Sequence, residues 1–446
     1  MLKTFPIGGI HPPENKITTG KQILSLPLPA TVAIPVSQHI GAPATVIVNK
    51  GDYVKTGQVI ATCKGFVSAN IHSSVSGKVN RTDTILDSTG YRQTAVFIDV
   101  EGDEWIDTID RSQEINGNIN ISPEEIIKKC LESGIVGLGG ATFPSHVKLS
   151  VPNGKKCDIL LINGVECEPF LTSDHRLMLE KGEQVLIGIS ILMKALKVSK
   201  AMIGIENNKP DAINHLSVLA RKFEGITVHA LKVKYPQGAE KQLIKSLVDR
   251  EVPSGKLPID IGAVVHNVGT AFAVYEAVQK NKPLFERVVT ITGKSLSNPG
   301  NFIVRIGTPV SSLIEAAGGM PDDTGKIVSG GPMMGKSINN IEVPAVKGTS
   351  GIILFPKTES ERPEISTCIR CAKCTFVCAL GLEPYLLATL SEKGFFERAE
   401  KEHITDCMEC GSCSYTCPAG RPILDYIRLG KSTVIKMARE RNLKLS

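Results

Sequence analysis

CIRCAKCTFVC (368–378) and CMECGSCSYTCP (407–418) each set three cysteines at successive two-residue gaps, with a fourth after a three-residue gap. Zinc sites usually pair two C-x2-C knuckles across a loop, giving four ligands to one ion. Three thiolates from one tight loop instead suit three irons of a cubane, and the fourth thiolate comes from elsewhere. In the bacterial ferredoxin run the fourth cysteine ligates the other cluster. Two such runs predict two [4Fe–4S] clusters with crossed ligation. Cys368, Cys371, Cys374 and Cys417 hold the first; Cys407, Cys410, Cys413 and Cys378 hold the second. Two neighbouring clusters make a relay for single electrons. Pro418 follows the second run but Ala379 follows the first. Leu386, Leu387, Leu390 and Phe395 give the spacer helical patterning, so the module is expected to be helical rather than sheet-based.

Around these runs the chain reads as globular. Its 446 residues, 42% hydrophobic and 22% charged, suit two to four domains. Cys63, Cys130, Cys157 and Cys167 are scattered and read as small buried or incidental thiols, not a disulfide framework. A net charge of +6 without aromatic–basic alternation argues against nucleic acid. The N-terminus shows no apolar signal core, and the longest apolar run, VLIGISILM (185–193), is too short to span a bilayer. The chain is therefore expected to be soluble and to meet a membrane only through partners. Arg428, Lys431, Lys436, Arg439, Arg441 and Lys444 make the C-terminus basic, either as a solvated tail or as a surface for an acidic partner or anionic lipid.

Four regions follow along the chain, giving an α+β multidomain fold. Residues 1–115 contain short β-rich pieces with turns at Gly51, Gly57, Gly65 and Gly77, and resemble a biotinyl/lipoyl-type barrel-sandwich. Lys64 lies near the tip where such a domain carries its modified lysine, but the hairpin is short, so the domain is read as scaffold. Residues 116–285 alternate strands and helices. KCDILLIN (156–163), KAMIGIE (200–206) and ITVHALKV (226–233) are strands. One helix is expected over 173–196, capped by Ser173 or Asp174, with others over 209–223 and 238–249. Such alternation implies a largely parallel, two-sided, Rossmann-like sheet. Residues 286–356 suggest a small β-grasp-like domain, and PKTESERPE (356–364) is a linker to the cluster domain, 357–446.

A relay needs a donor, and SGIVGLGGATFPSHVKL (133–149) is the candidate loop. Its small residues let backbone N–H groups close around a phosphate, and Lys148 adds charge. Gly137-x-Gly139 is present, but Thr142 stands where a dinucleotide fingerprint has its third glycine, and a helix pattern precedes the loop. From this loop alone, a plain turn remains open.

GLGGATFP, NGVECEP (163–169), YPQGAEKQL (235–243) and HNVGT (266–270) resemble, in order, the flavin-site segments of the complex I NADH-oxidising flavoprotein. With FPIGGIHPPENK at the start and the two cysteine runs at the end, nearly the whole chain resembles the RnfC family, the peripheral components of Rnf ion-translocating electron-transport complexes. The resemblance implies FMN and NAD(H) in the α/β region. Gly137, Gly139, Gly140 and Lys148 would cradle the phosphate side. Asn163, Glu166, Gly238, Asn267 and Thr270 would line the flavin. Phe143 would stack on a nicotinamide or adenine ring, and Glu168 and Glu240 would contact the nucleotide. Val165, Ala239 and His266 depart from that pattern, replacing an Asp, a Glu and an Asn. The implied role is electron input to an ion-translocating NADH:ferredoxin oxidoreductase, peripheral on the cytoplasmic side of the inner membrane. Its partners would be the integral and peripheral Rnf subunits, with ferredoxin met indirectly. Two alternatives are a cobalamin reductase of a bacterial microcompartment and a non-catalytic ferredoxin-like adaptor.

Overall fold

The computed structural model describes residues 2–445, with side chains as far as 441. Near the N-terminus, strands Thr31–Pro35, Arg92–Gly102, Ser76–Leu86 and Tyr53–Val54 form an antiparallel sheet. It closes over a three-stranded sheet of Thr45–Val46, Val59–Thr62 and Ile71–His72. Val32, Ile34, Ile60, Ile71, Val96 and Ile98 fill the space between. The Lys64 turn is short and tied down: Lys64 N–H donates to Ser68 Oγ (3.0 Å), and Cys63 N–H to Asn70 Oδ1 (2.9 Å).

The α/β region holds a four-stranded, wholly parallel sheet in the order Ile226–Leu231, Ala201–Glu206, Ile159–Asn163, Ala263–Asn267. Strand residues alternate between its faces. Leu160 and Ile162 enter the larger core with Leu186 and Val274, from helices Gly182–Leu196 and Val268–Gln279. Ile159 and Leu161 meet Leu243 and Leu247 of helix Glu240–Val248 on the other side. Burial on both faces is why these strands read as unbroken apolar runs. The single helix expected over 173–196 is two, Ser173–Glu180 and Gly182–Leu196, divided at Lys181. Thr172, not Ser173 or Asp174, precedes the first, and its side chain makes no cap.

The next sheet has six strands in the order Ile23–Ser25, Gly300–Arg305, Glu286–Thr292, Gly351–Pro356, Thr324–Ser329, Lys336–Ile338. Its first strand comes from the N-terminus and runs parallel to Gly300–Arg305. The cluster region is helical, as expected. Helices Pro384–Glu392, Phe396–Lys401 and Ile423–Leu445 pack through Leu387, Leu390, Ala399, Ile427 and Val434. Phe395 is exposed and does not join that stripe. No helix of the described residues is long and apolar enough to cross a membrane.

Candidate flavin and iron–sulfur site

Parallel α/β sheets bind ligands at the carboxyl ends of their strands, where the strand order reverses. Here that point lies between Ile159–Asn163 and Ala263–Asn267, and the two terminal residues, Asn163 and Asn267, stand in register. The loop 137–143 closes against this end. Gly137 N–H donates to the Phe143 carbonyl (3.0 Å), and Leu138 N–H to Thr270 Oγ1 (2.9 Å) in the first turn of helix Val268–Gln279. Thr142 holds the left-handed conformation (φ 54°) although it is not glycine. Gly139 packs directly on Asn267: a Cβ there would lie 2.6 Å from Asn267 Nδ2. Gly140 faces open space, with no atom within 4 Å of such a Cβ. Two buried cations brace the loop from behind. Lys347 Nζ donates to Gly134 O (2.7 Å) and Arg287 to Leu138 O (3.3 Å).

The remaining predicted residues largely hold one another. Asn163 Nδ2 donates to Gly238 O (2.7 Å), joining two of the segments. Lys148 Nζ donates to Glu240 Oε1 (2.8 Å) and Val265 O (3.1 Å), so these two charges face each other. Glu166, itself left-handed (φ 47°), accepts from Asp174 N–H (2.7 Å) and His175 N–H (3.1 Å). It thereby caps helix Ser173–Glu180 from outside, which explains why that helix has no cap of its own. Asn267 Nδ2 donates to Asp174 Oδ2 (2.6 Å), and burial with Glu166 nearby raises Asp174 to about 7. Glu168 accepts from Met333 N–H (3.0 Å) and Met334 N–H (2.9 Å) of the neighbouring sheet domain, and burial raises it to about 7. Phe143 is half-buried at the end of the loop.

The departures from the flavoprotein pattern have local reasons. Val165 is fully buried with Leu231 and Leu243, where an ionised Asp would be costly. Ala239 begins helix Glu240–Val248 without a side-chain cap. His266 is buried and held to about 3 by desolvation and by Lys148, and its Nε2 has no partner within the chain. An unpaired polar atom beside an open glycine loop and a helix N-terminus is a setting that accommodates a phosphorylated ligand. The largest cavity, about 370 Å³, adjoins the loop at Leu138, Asp174 and Gly269 and reaches Phe272, Arg287 and Trp105. None of the twelve residues chosen from sequence lines it. The buried Asp174 and Arg287 carried no motif signal.

The cysteine runs share one backbone plan. Arg370 and Ala372 in the first, and Glu409 and Gly411 in the second, are left-handed, and each run leads into a one-turn helix, Lys373–Phe376 or Ser412–Tyr415. Alternation of this kind turns successive N–H groups inward, as anionic iron–sulfur sites require. Burial raises the Cys407 and Cys413 thiols to about 11 and about 12, and in both the neighbouring Cys410 and Cys378 add to the rise. Cys378 thus lies with the second run, in the crossed arrangement. No three His, Cys, Asp or Glu of the described residues converge on a single-ion position. One zinc needs its sulfurs about 2.3 Å from one point, whereas a cubane spreads four thiolates over four irons.

The second set sits directly on the α/β domain. Tyr235 Oη donates to Cys410 O (2.8 Å), and Gln242 Nε2 to Ala379 O (2.9 Å). The first set lies outward: Cys371 is exposed, as are Ile369 and Phe376 beside it.

Sequence comparison gives 47% identity over 437 residues to the RnfC-type component of the proton-translocating ferredoxin:NAD(+) oxidoreductase complex of Clostridium ljungdahlii, covering 97% of this chain and 94% of that one. The counterpart from the Na(+)-translocating complex of Acetobacterium woodii is 45% identical, covering 98% of each chain. That of the ion-translocating oxidoreductase complex of Rhodobacter capsulatus is 41% identical, covering 90% of this chain and 78% of that one. The chain belongs to the RnfC family. Its parts match families described as RnfC Barrel sandwich hybrid domain (3–103), Nuo51 FMN-binding domain (130–276), SLBB domain (288–337) and 4Fe-4S dicluster domain (362–418). Among solved structures, an NAD+-reducing [NiFe]-hydrogenase in the H2-reduced state shares the fold at a TM-score of 0.51 and 18% identity, over 73% of this chain and 67% of that one.

In this RnfC family member the C-terminal cations are partly engaged. Arg428 and Lys431 both pair with Glu409 (3.1 Å each), and Arg441 pairs with Glu400. Lys436 and Arg439 are exposed, and the side chain of Lys444 lies outside the described residues.

Proposed function

We propose that this protein passes electrons between NAD(H), FMN and two [4Fe–4S] clusters and exchanges them with membrane partners of an ion-translocating complex. The observation that carries the reading is the seating of the Cys378, Cys407, Cys410 and Cys413 set on the flavin-loop side through Tyr235 and Gln242. A bound flavin supplies the conversion between a hydride pair and single electrons. The chain's part is to hold and order its neighbours. Backbone at Gly139 and Gly140 and the amino end of helix Val268–Gln279 receive the phosphate side. Asn163 and Gly238, tied together, form the wall. Glu166 and Glu168 fix the loop 163–171 by capping one helix and latching the SLBB domain. Lys148 and Glu240 separate when a nucleotide takes one of them.

The second set is the inner cluster and the first set the outer one. Cys371, with the exposed Ile369, Phe376, Arg370 and Lys373, gives the outer cluster a mixed apolar and basic face for an acidic electron partner. With no spanning helix among the described residues, attachment is peripheral, on the cytoplasmic face, through partners. Acid-released flavin and iron content, with NADH-dependent ferricyanide reduction by the purified chain, test the reading. A chain with both clusters but no flavin and no NADH oxidation would point to the adaptor alternative, which the Lys148–Glu240 pair and Val165 favour.

A further inference from the structure

The segment FPIGGIHPPENK has no helical or strand period, and nothing above assigns it a task. In the structure it is an arm that crosses the molecule. At Lys3 it joins the sheet edge beside Leu231. Phe5 is buried under the Lys234 ammonium, 4.1 Å from the ring centroid. Ile10 exchanges both backbone hydrogen bonds with Tyr235 (2.9 Å each), the residue whose hydroxyl reaches Cys410.

Two points on this arm touch the two redox ends. Gly8 lies on the turn after the first cysteine run. It is left-handed (φ 65°), and a Cβ on it would fall 2.5 Å from the backbone C and O of Cys378. Next to it Gly9 N–H donates to Val377 O (2.9 Å). Further along, Lys16 Nζ donates to three carbonyls of the flavin-side loop: Glu166 O (2.8 Å), Glu168 O (2.9 Å) and Leu171 O (2.6 Å). All three donors of the ammonium are thus spent on one loop. Glu14 O accepts from Phe170 N–H (2.8 Å) and seals the same loop. A cation on three neutral carbonyls gathers a loop around itself; it forms no salt bridge that a surface lysine could replace.

We infer that this arm is the brace that sets the gap between the flavin-side loop and the inner cluster, with Lys16 positioning the loop and Gly8–Gly9 seating the Cys378 turn. Lys16 and Gly8 are positioning residues, acting through residues 163–171 and 377–379. The inference deepens the flavin-and-cluster reading and rests on it for its redox meaning, but its mechanical content stands on the contacts alone.

The test uses the full chain with its clusters and compares the parent with Lys16→Met, Lys16→Arg and Gly8→Ala. Hydrogen–deuterium exchange is followed at amides 164–172 and 377–382, with iron and flavin content and the rates of flavin and cluster reduction by NADH. The brace predicts coupled loss. Lys16→Met speeds exchange at the loop and also at the Cys378 turn, and Gly8→Ala does the same in reverse. Lys16→Arg restores part of the protection. The flavin-to-cluster rate falls at least about tenfold in Lys16→Met, since a displacement of about 1 Å at a reacting pair costs on the order of 10²-fold. Exchange that changes only at the mutated end, in both directions, overturns the brace. So does an unchanged flavin-to-cluster rate. A parent chain without flavin would sink the flavin reading, while the exchange data would still decide whether the two ends are linked.

Discussion

The Tyr235 hydroxyl donates to the backbone carbonyl of Cys410 at 2.8 Å, and the same oxygen lies 3.4 Å from Glu168 Oε1. One buried side chain thereby joins the loop that carries Glu168 to the inner cysteine run. Burial, Glu168 and the nearby cysteines all push the phenol's pKa upward, so it stays a neutral donor at any working pH. Tyr235→Phe leaves a buried carbonyl unsatisfied. It should cost about 1–3 kcal/mol of stability while leaving iron content intact. Thermal unfolding of the loaded variant checks this; an unchanged midpoint would mean that water replaces the hydroxyl.

Crossed ligation makes a paired prediction. Cys378→Ala should alter the electron paramagnetic resonance signal of the cluster held by the second run, and Cys417→Ala that of the first. If Cys378→Ala changed only the first-run signal, the crossed assignment would be wrong.

Gly139 and Gly140 are adjacent but should fail differently. A side chain at Gly140 meets nothing in the folded chain, so Gly140→Val should keep its melting temperature and iron while losing flavin. At Gly139 the new Cβ presses on Asn267, which Asp174 and the Asn163 carbonyl already hold. Gly139→Val should therefore lose flavin and also about 1–3 kcal/mol of stability from overpacking. Flavin-to-iron ratios and melting temperatures of the two variants separate the effects, and full flavin in Gly140→Val would remove the loop from the site.

Lys347 supplies a pH signature. Burial lowers its ammonium from an ordinary 10.5 to about 7 in the folded chain, where its nitrogen reaches only the Asn70 and Gly134 carbonyls. Between those values the unfolded chain binds more protons, so this residue makes stability rise with pH. Lys347→Met lacks that slope. The parent should gain on the variant by about 1.4 kcal/mol per pH unit from about pH 7.5 upward. Paired denaturation midpoints measure the difference, and a difference constant with pH would contradict it.

Much of this architecture was legible in sequence because its signals are local. The cysteine spacing, the apolar runs around Leu160 and Ile203, and the glycine loop each lie within a dozen residues, and each is found where it was read. What escaped depends on distance. The apolar period runs on through Lys181, so nothing local marked the division of the 173–196 helix. Glu166 reads as an isolated carboxylate until helix Ser173–Glu180 comes round to meet it. The Glu168 latch on Met333 and Met334 joins residues 165 and 166 positions apart. Lys16 and its three carbonyls are at least 150 positions apart. Phe395 fitted the helical stripe by spacing, yet the chain turns between Pro384–Glu392 and Phe396–Lys401 and leaves it exposed.

The central claim is that electrons move between the clusters and NAD(H) through this one chain. The most direct measurement starts from the purified, flavin- and iron-loaded chain, reduced with dithionite and freed of reductant under anaerobic conditions. NAD+ is then mixed in, and freeze-quenched samples are read by electron paramagnetic resonance alongside the absorbance of NADH. The account predicts that NADH forms and that the second-run cluster, seated beside Tyr235, loses its signal before the first-run cluster does. Both clusters remaining reduced, with no NADH formed while flavin and iron are present, would contradict it.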